Sequence, residues 1–220
     1  MTTAQDLLIV SMGVPPDAPV ASGDLSLALA GAELIDLIET EAVTLDGDRI
    51  VPGLQPATGD RLLDDAASSL VRQAPYESTE DWLWRRGRGL AAAYLAALES
   101  DGLITRSRGR WLPVPTGHRS LTDSPVRRHA EERRASGDPV LAALTTAVGI
   151  DDKGRAAVEA EDESTTVAGL RETSDESLHP ADDSIEAVLA AVGDAVTELE
   201  GVRQRRTIED AAFDNVWRGW

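Results

Sequence analysis

The stretch DLSLALAGAELIDLIETEAVTL (Asp24–Leu45) carries apolar residues at Leu25, Leu27, Ala28, Leu29, Leu34, Ile35, Leu37 and Ile38, with small residues Ala28, Ala30, Gly31 and Ala32 in its middle. Apolar positions this dense cover much of a helix's circumference, and a helix that is apolar on most sides belongs in the interior. The small residues predict that a neighbouring helix comes close at that point. Directly afterwards, AVTLDGDRIV alternates around Asp46-Gly47-Asp48, which predicts a β-hairpin.

Working outward, residues 3–12 read as a short amphipathic helix with Leu7, Leu8, Val10 and Met12 apolar, ended by the prolines of GVPPDAP. Residues 60–74 predict another helix, with Leu62, Leu63, Ala66, Ala67 and Leu70 on one side. Ser78 or Thr79 is placed to cap the next helix, and Glu80 and Asp81 suit its positive end. Gly87 and Gly89 each cost about 1 kcal/mol relative to Ala inside a helix, so a kink or boundary is expected there. A strong helix follows from Leu90 to Gly102. Residues 103–114 predict a second hairpin turning at Ser107-Arg108-Gly109, with Trp111, Leu112 and Val114 on its return arm. Ser124-Pro125 starts a helix that is polar all round and so expected at the surface. Residues 138–149 read as a buried helix, and 151–183, rich in Asp, Glu, Ser and Thr, as a loose stretch. Helical periodicity returns over 183–206 through Ile185, Val188, Leu189, Val192, Val196 and Leu199, and 207–220 reads as an amphipathic tail. Of 220 residues 42% are hydrophobic, yet there are one Phe and two Tyr, so the core must be Leu, Ala, Val and Ile. The expected fold is mainly α, one helical globule over 1–206 with surrounding amphipathic helices, two small β-hairpins and a C-terminal tail over 207–220.

Several function classes drop out. There is no cysteine, hence neither disulfide nor thiolate chemistry. His118, His129 and His179 lack metal-ligand spacing. No glycine-rich phosphate loop, nucleophile elbow or His-Glu-x-x-His is present, so no enzyme activity, metal or cofactor is expected. The N-terminus lacks the basic region of a signal peptide, and no apolar run reaches the roughly 20 residues that span a bilayer, which predicts a cytoplasmic protein. Lys153 is the only lysine beside many Arg and Ala, a bias typical of GC-rich bacterial genomes.

The charge is distributed unevenly. Trp82 to Arg88 packs two Trp and three Arg into seven residues of a chain whose net charge is −18. From Trp82 to Arg134 eleven Arg face five acids, a local +6, so the remainder carries −24. Such asymmetry marks a surface that meets an anion, or one that meets the chain's own acids. In the internal reading Trp82 faces the core, Trp84 packs near the surface and the arginines pair within the chain. In a DNA-binding reading, helix 90–101 and hairpin 103–114 form a winged helix with Arg106, Arg108 and Arg110 in the wing; the overall −18 opposes it. In the third, Arg85, Arg86 and Arg88 receive one anionic head group at a membrane surface, flanked by Trp82 or Trp84. Trp111 and Leu112 then offer an apolar hairpin surface to a bilayer or partner.

The order of elements favours the third. TAQDLLIVSM (3–12), LSLALAGAELIDLIETEAVTLDGDRIV (25–51), WLWRRGRGLAAAYLAALESDGLITRSRGRWLPVPTGHRSLTD (82–123) and DPVLAALTTAVGI (138–150) together resemble the Golgi phosphoprotein 3 family, over roughly residues 3–205. That family comprises phosphoinositide-binding adaptors and includes many actinobacterial members. The resemblance implies a four-helix core and phosphatidylinositol 4-phosphate bound in a shallow basic pocket, at the inner face of the cell membrane. It also implies oligomerisation through the hairpin, here 103–114 with Arg108, Trp111 and Leu112. Carried over by position, the family's pocket Trp falls on Ala21, the arginine of its central helix on Ala30, and its R-x-x-R pair on Arg88 and Ala91. Arg85 and Arg86 lie one turn before Arg88 and are expected to substitute. The expectation is therefore a non-enzymatic peripheral adaptor that binds anionic head groups through Arg85, Arg86 and Arg88. The alternatives are a protein–protein scaffold that has lost phosphoinositide binding, and a DNA-binding regulator.

Overall fold

The computed structural model describes residues 1–14, 19–54, 58–106, 119–150 and 180–217. In chain order the elements are α1 (Thr3–Met12), α2 (Ser22–Glu39), β1 (Val43–Asp46), β2 (Arg49–Pro52), α3 (Arg61–Ser68) and α4 (Thr79–Arg86). They continue with α5 (Leu90–Ser100), β3 (Ile104–Arg106), β4 (Arg119–Leu121), α6 (Pro125–Ala135), α7 (Pro139–Ala147) and α8 (Pro180–Trp217). The protein is mainly α, as its core composition dictates.

Every residue of α2 from Leu25 to Ile38 is buried. The helix packs against α8, α1, α5 and α4, so it is the axis of the molecule. Side chains such as Leu29, Leu34, Ile35 and Leu37 are wholly enclosed, and each such burial contributes about 1.5–3 kcal/mol. The small residues have the expected role. A Cβ on Gly31 would lie 2.3 Å from Cγ2 of Val192, so α8 approaches α2 more closely than any side chain at that position permits.

Local signals are honoured at most boundaries. Ser78 accepts a hydrogen bond from the Asp81 N–H at the start of α4. That helix ends at Arg86, and Gly89 takes a positive φ of 71° before α5 begins. The first hairpin pairs Asp46 with Arg49 across Gly47-Asp48. Ser124 caps α6, whose surface position leaves Ala130 as its buried residue. In α7, Leu141 and Leu144 are buried.

Three expectations are corrected. The helix expected over 60–74 stops at Ser68, because Ser69 turns the chain, its N–H bonding to the Asp65 and Ala66 carbonyls and its hydroxyl to Ala66. The return strand paired with β3 is β4, with Ile104 opposite Leu121 and Arg106 opposite Arg119, while the expected turn and return arm over 107–114 lie outside the described residues. The last helix, expected over 183–206, begins at Pro180 and continues past position 206 to Trp217, and residues 218–220 lie outside the described residues. The loose stretch expected after residue 150 lies, up to 179, outside the described residues.

Candidate functional site

The aromatic–arginine cluster sits on α4 and the turn into α5, and its members diverge. Trp82 is fully buried, and its indole N–H donates to the Ala30 carbonyl of α2 at 3.0 Å. Arg86 lies inward beside it. Its Nε and Nη2 donate to the two Glu33 oxygens at 2.7 and 2.8 Å, and Nη2 also reaches the Leu62 carbonyl at 3.1 Å. Glu33 is wholly enclosed and takes a third hydrogen bond from the Tyr94 hydroxyl at 3.0 Å. Burial pushes the Glu33 carboxyl up, and the Arg86 fork and the Tyr94 hydroxyl pull it back down. Arg85 points outward but holds Glu77 through two hydrogen bonds of 2.6 and 2.7 Å, and its guanidinium lies 5.2 Å from the Trp82 ring centre. Donating hydrogen bonds to the Glu77 carboxylate raises the Arg85 pKa.

The structure thus does not bring Arg85, Arg86 and Arg88 together as one open patch. Two of the three guanidiniums are already engaged by the chain's own carboxylates, as the internal reading expects. The same holds farther along the basic stretch, where Arg133 bridges Asp6 at 2.9 Å and Asp138 at 2.8 Å. The arginines answer acids from α1, α2 and the loop before α4.

Arg88 differs. It is exposed and has no ion pair or hydrogen bond among the described residues. Together with Gly87, Gly89 and the half-buried Trp84, it borders a cavity of about 250 Å³ whose other walls are the start of α2 and Leu199 of α8. That volume is several times the ~30 Å³ of a water, room for a phosphate-sized group. The helix ends around it are unusual here. α1, α3, α4, α6 and α7 each have an N-cap side chain that accepts a backbone N–H. At the N-termini of α2 and α5, Ala21 and Gly89 provide none. Ser26 offers its hydroxyl oxygen to the Ala91 N–H of α5. The α2 N-terminus, where peptide dipoles concentrate partial positive charge, is left without a capping oxygen of its own. An exposed arginine and an uncapped helix start thus border one cavity on an acidic molecule, with Asp24 in the first turn of α2 as the nearby acid.

Of the other pocket positions carried over from the resemblance, Ala30 and Ala91 are 0% and 2% exposed, so both belong to the core. Ala21 is exposed at the α2 N-cap. Arg108, Trp111 and Leu112 lie outside the described residues. The sequence signal that could have shown the fate of Arg86 is Glu33 itself, one of two acids in the buried stretch of α2 and the one whose carboxylate an arginine satisfies. Leu199, more than a hundred residues from Arg88, gave no such signal.

A second cavity, about 340 Å³, is lined by Asp36, Glu39 and Asp60 near the start of α1, and its acids repel anions. Among the described residues no group of three or more metal-ligating side chains occurs, and no described helix is long and apolar enough to cross a membrane. No curated protein matches the chain. The family model for Golgi phosphoprotein 3 (GPP34) matches residues 4–205, nearly the whole length, and the chain belongs to that family.

Proposed function

We propose that this protein is a non-enzymatic peripheral membrane adaptor that takes one anionic lipid head group in the cavity between the start of α2, the α4–α5 turn and α8. Membership of the Golgi phosphoprotein 3 family supports a lipid-binding adaptor at family level. The single observation that carries the finer reading is Arg88, exposed and without a partner among the described residues, beside the uncapped α2 N-terminus. Arginine and a helix start both favour phosphate oxygens, and Trp84 supplies the interfacial aromatic. Alanines at positions 21, 30 and 91 leave one family arginine of the pocket in place, so general anionic recognition is proposed rather than selectivity for phosphatidylinositol 4-phosphate. Arg85 and Trp82 contribute by shaping the α4 surface, and Arg86 by holding α4 on α2.

The test is co-sedimentation with vesicles of phosphatidylcholine alone, with added phosphatidylserine, and with added phosphatidylinositol 4-phosphate. The expected result is pelleting with both anionic sets over the neutral one, reduced by Arg88→Gln. Equal pelleting with all three overturns head-group recognition. It would favour the protein–protein scaffold, a reading to which the alanines at the pocket positions already lend support.

A further inference from the structure

α8 brings a second arginine, Arg203, next to Gly23 in the wall of the same cavity. Nη2 of Arg203 and Cδ2 of Leu199 each lie 2.9 Å from where a Gly23 Cβ would be, and Gly23 and Leu199 both line the cavity. Arg203 is held there by Asp24 in the first turn of α2. Its Nη1 donates to Asp24 Oδ2 at 2.9 Å, while Nη2 lies 2.7 Å from Oδ1. The second arm is close without being aligned, since the buried Oδ1 has no hydrogen-bond partner. One third of the Arg203 side chain stays exposed, and Glu200 touches it from the same helix at 3.4 Å.

Asp24 has two opposing effects on an anion entering beside Arg88. It places a negative charge at the one helix end that attracts the anion, and it occupies the guanidinium that would otherwise face it. An imperfect, partly solvated ion pair is readily exchanged for a better anion. We propose that Arg203 is the second cation of the head-group site and Asp24 its internal competitor, so that a bound head group takes over the Arg203 fork from Asp24. This rests on the head-group reading above and adds to it the residue that limits affinity. A weak resting site and a stronger charge-matched one are two states of the same cavity.

The prediction has an unusual sign. Removing an acid by Asp24→Asn breaks the α2–α8 ion pair, yet it should tighten binding of the full-length protein to phosphatidylcholine–phosphatidylserine vesicles by about two- to fivefold. Arg203→Gln should weaken it by a similar factor, and Arg203→Lys should retain part of the binding. Urea midpoints of all variants separate binding from loss of structure. Soluble inositol phosphate and inorganic phosphate are run as competitors, so that recognition of a membrane-borne group is told apart from recognition of free phosphate. If Asp24→Asn leaves binding unchanged or weakens it while Arg88→Gln still reduces it, the competitor role is overturned and the head-group reading stands. If the unmodified protein does not prefer anionic vesicles, the head-group reading itself fails.

Discussion

Replacing Arg86 by Met tests whether that arginine is structural or a ligand contact. The change removes the fork that meets both Glu33 oxygens and leaves a fully enclosed carboxylate with the Tyr94 hydroxyl as its described partner. Removing one member of a buried ion pair costs about 3–5 kcal/mol, because the stranded charge keeps its desolvation penalty. For a chain of this size that corresponds to a Tm about 6–20 °C lower. Urea denaturation followed by circular dichroism measures it. Two further results separate the mechanism from simple loss of packing. With its countercharge gone, Glu33 holds a proton at higher pH in the folded state than in the unfolded one. The deficit should therefore shrink as pH falls from 7 toward 5 and grow as pH rises. Adding Glu33→Gln should recover most of the loss, since the neutral amide oxygen still accepts from Tyr94. Arg86→Met should leave the preference for anionic vesicles intact. A loss below about 1 kcal/mol, or a double variant as unstable as the sum of the singles, refutes the reasoning.

Gly31→Ala places a methyl 2.3 Å from Val192 Cγ2 and should destabilise by about 1–3 kcal/mol, with Val192→Ala restoring part of the loss in a double-mutant cycle of urea midpoints; additivity would mean the helices do not meet there. Asp36 is pushed up to about 6 by burial, although the Thr3 and Ala4 N–H groups at the α1 start pull it down. Its folded pKa exceeds the unfolded one, so its share of stability is present at low pH and is lost as pH rises through about 6. Relative to Asp36→Asn, the protein should gain about 1 kcal/mol between pH 7 and pH 5; equal pH slopes would refute this.

Where a residue's environment is local, the sequence announces it. The cap at Ser78, the break at Gly87 and Gly89 and the start at Ser124-Pro125 depend on neighbours a few positions away, and all three are where reading predicts. α2 is legible because its apolar positions cover much of its circumference. The β3 return strand is not, since Ile104 finds its partner at Leu121 across a long connection while Ser107-Arg108-Gly109 offers a plausible turn nearby. Of the site, Arg88 was legible as one arginine among several. Which of them stays open is decided at distance: Arg86 is claimed by Glu33, 53 residues earlier, and Arg85 by Glu77, eight residues earlier. Charge counting finds the basic stretch and cannot tell a neutralised guanidinium from a vacant one, because that distinction belongs to packing.

The contact between Gly31 and Val192 joins positions 161 residues apart, and Val188, Val192 and Ala195 complete the covering of α2. At about 5–20 residues per second, a ribosome takes roughly 8–32 s to travel between them. Throughout that interval the central helix is synthesised, with α1, α4 and α5 able to cover it, but the face that meets Val192 lacks its partner. The seam between the second helix and the last is therefore the latest part of the core to be completed as the chain is made.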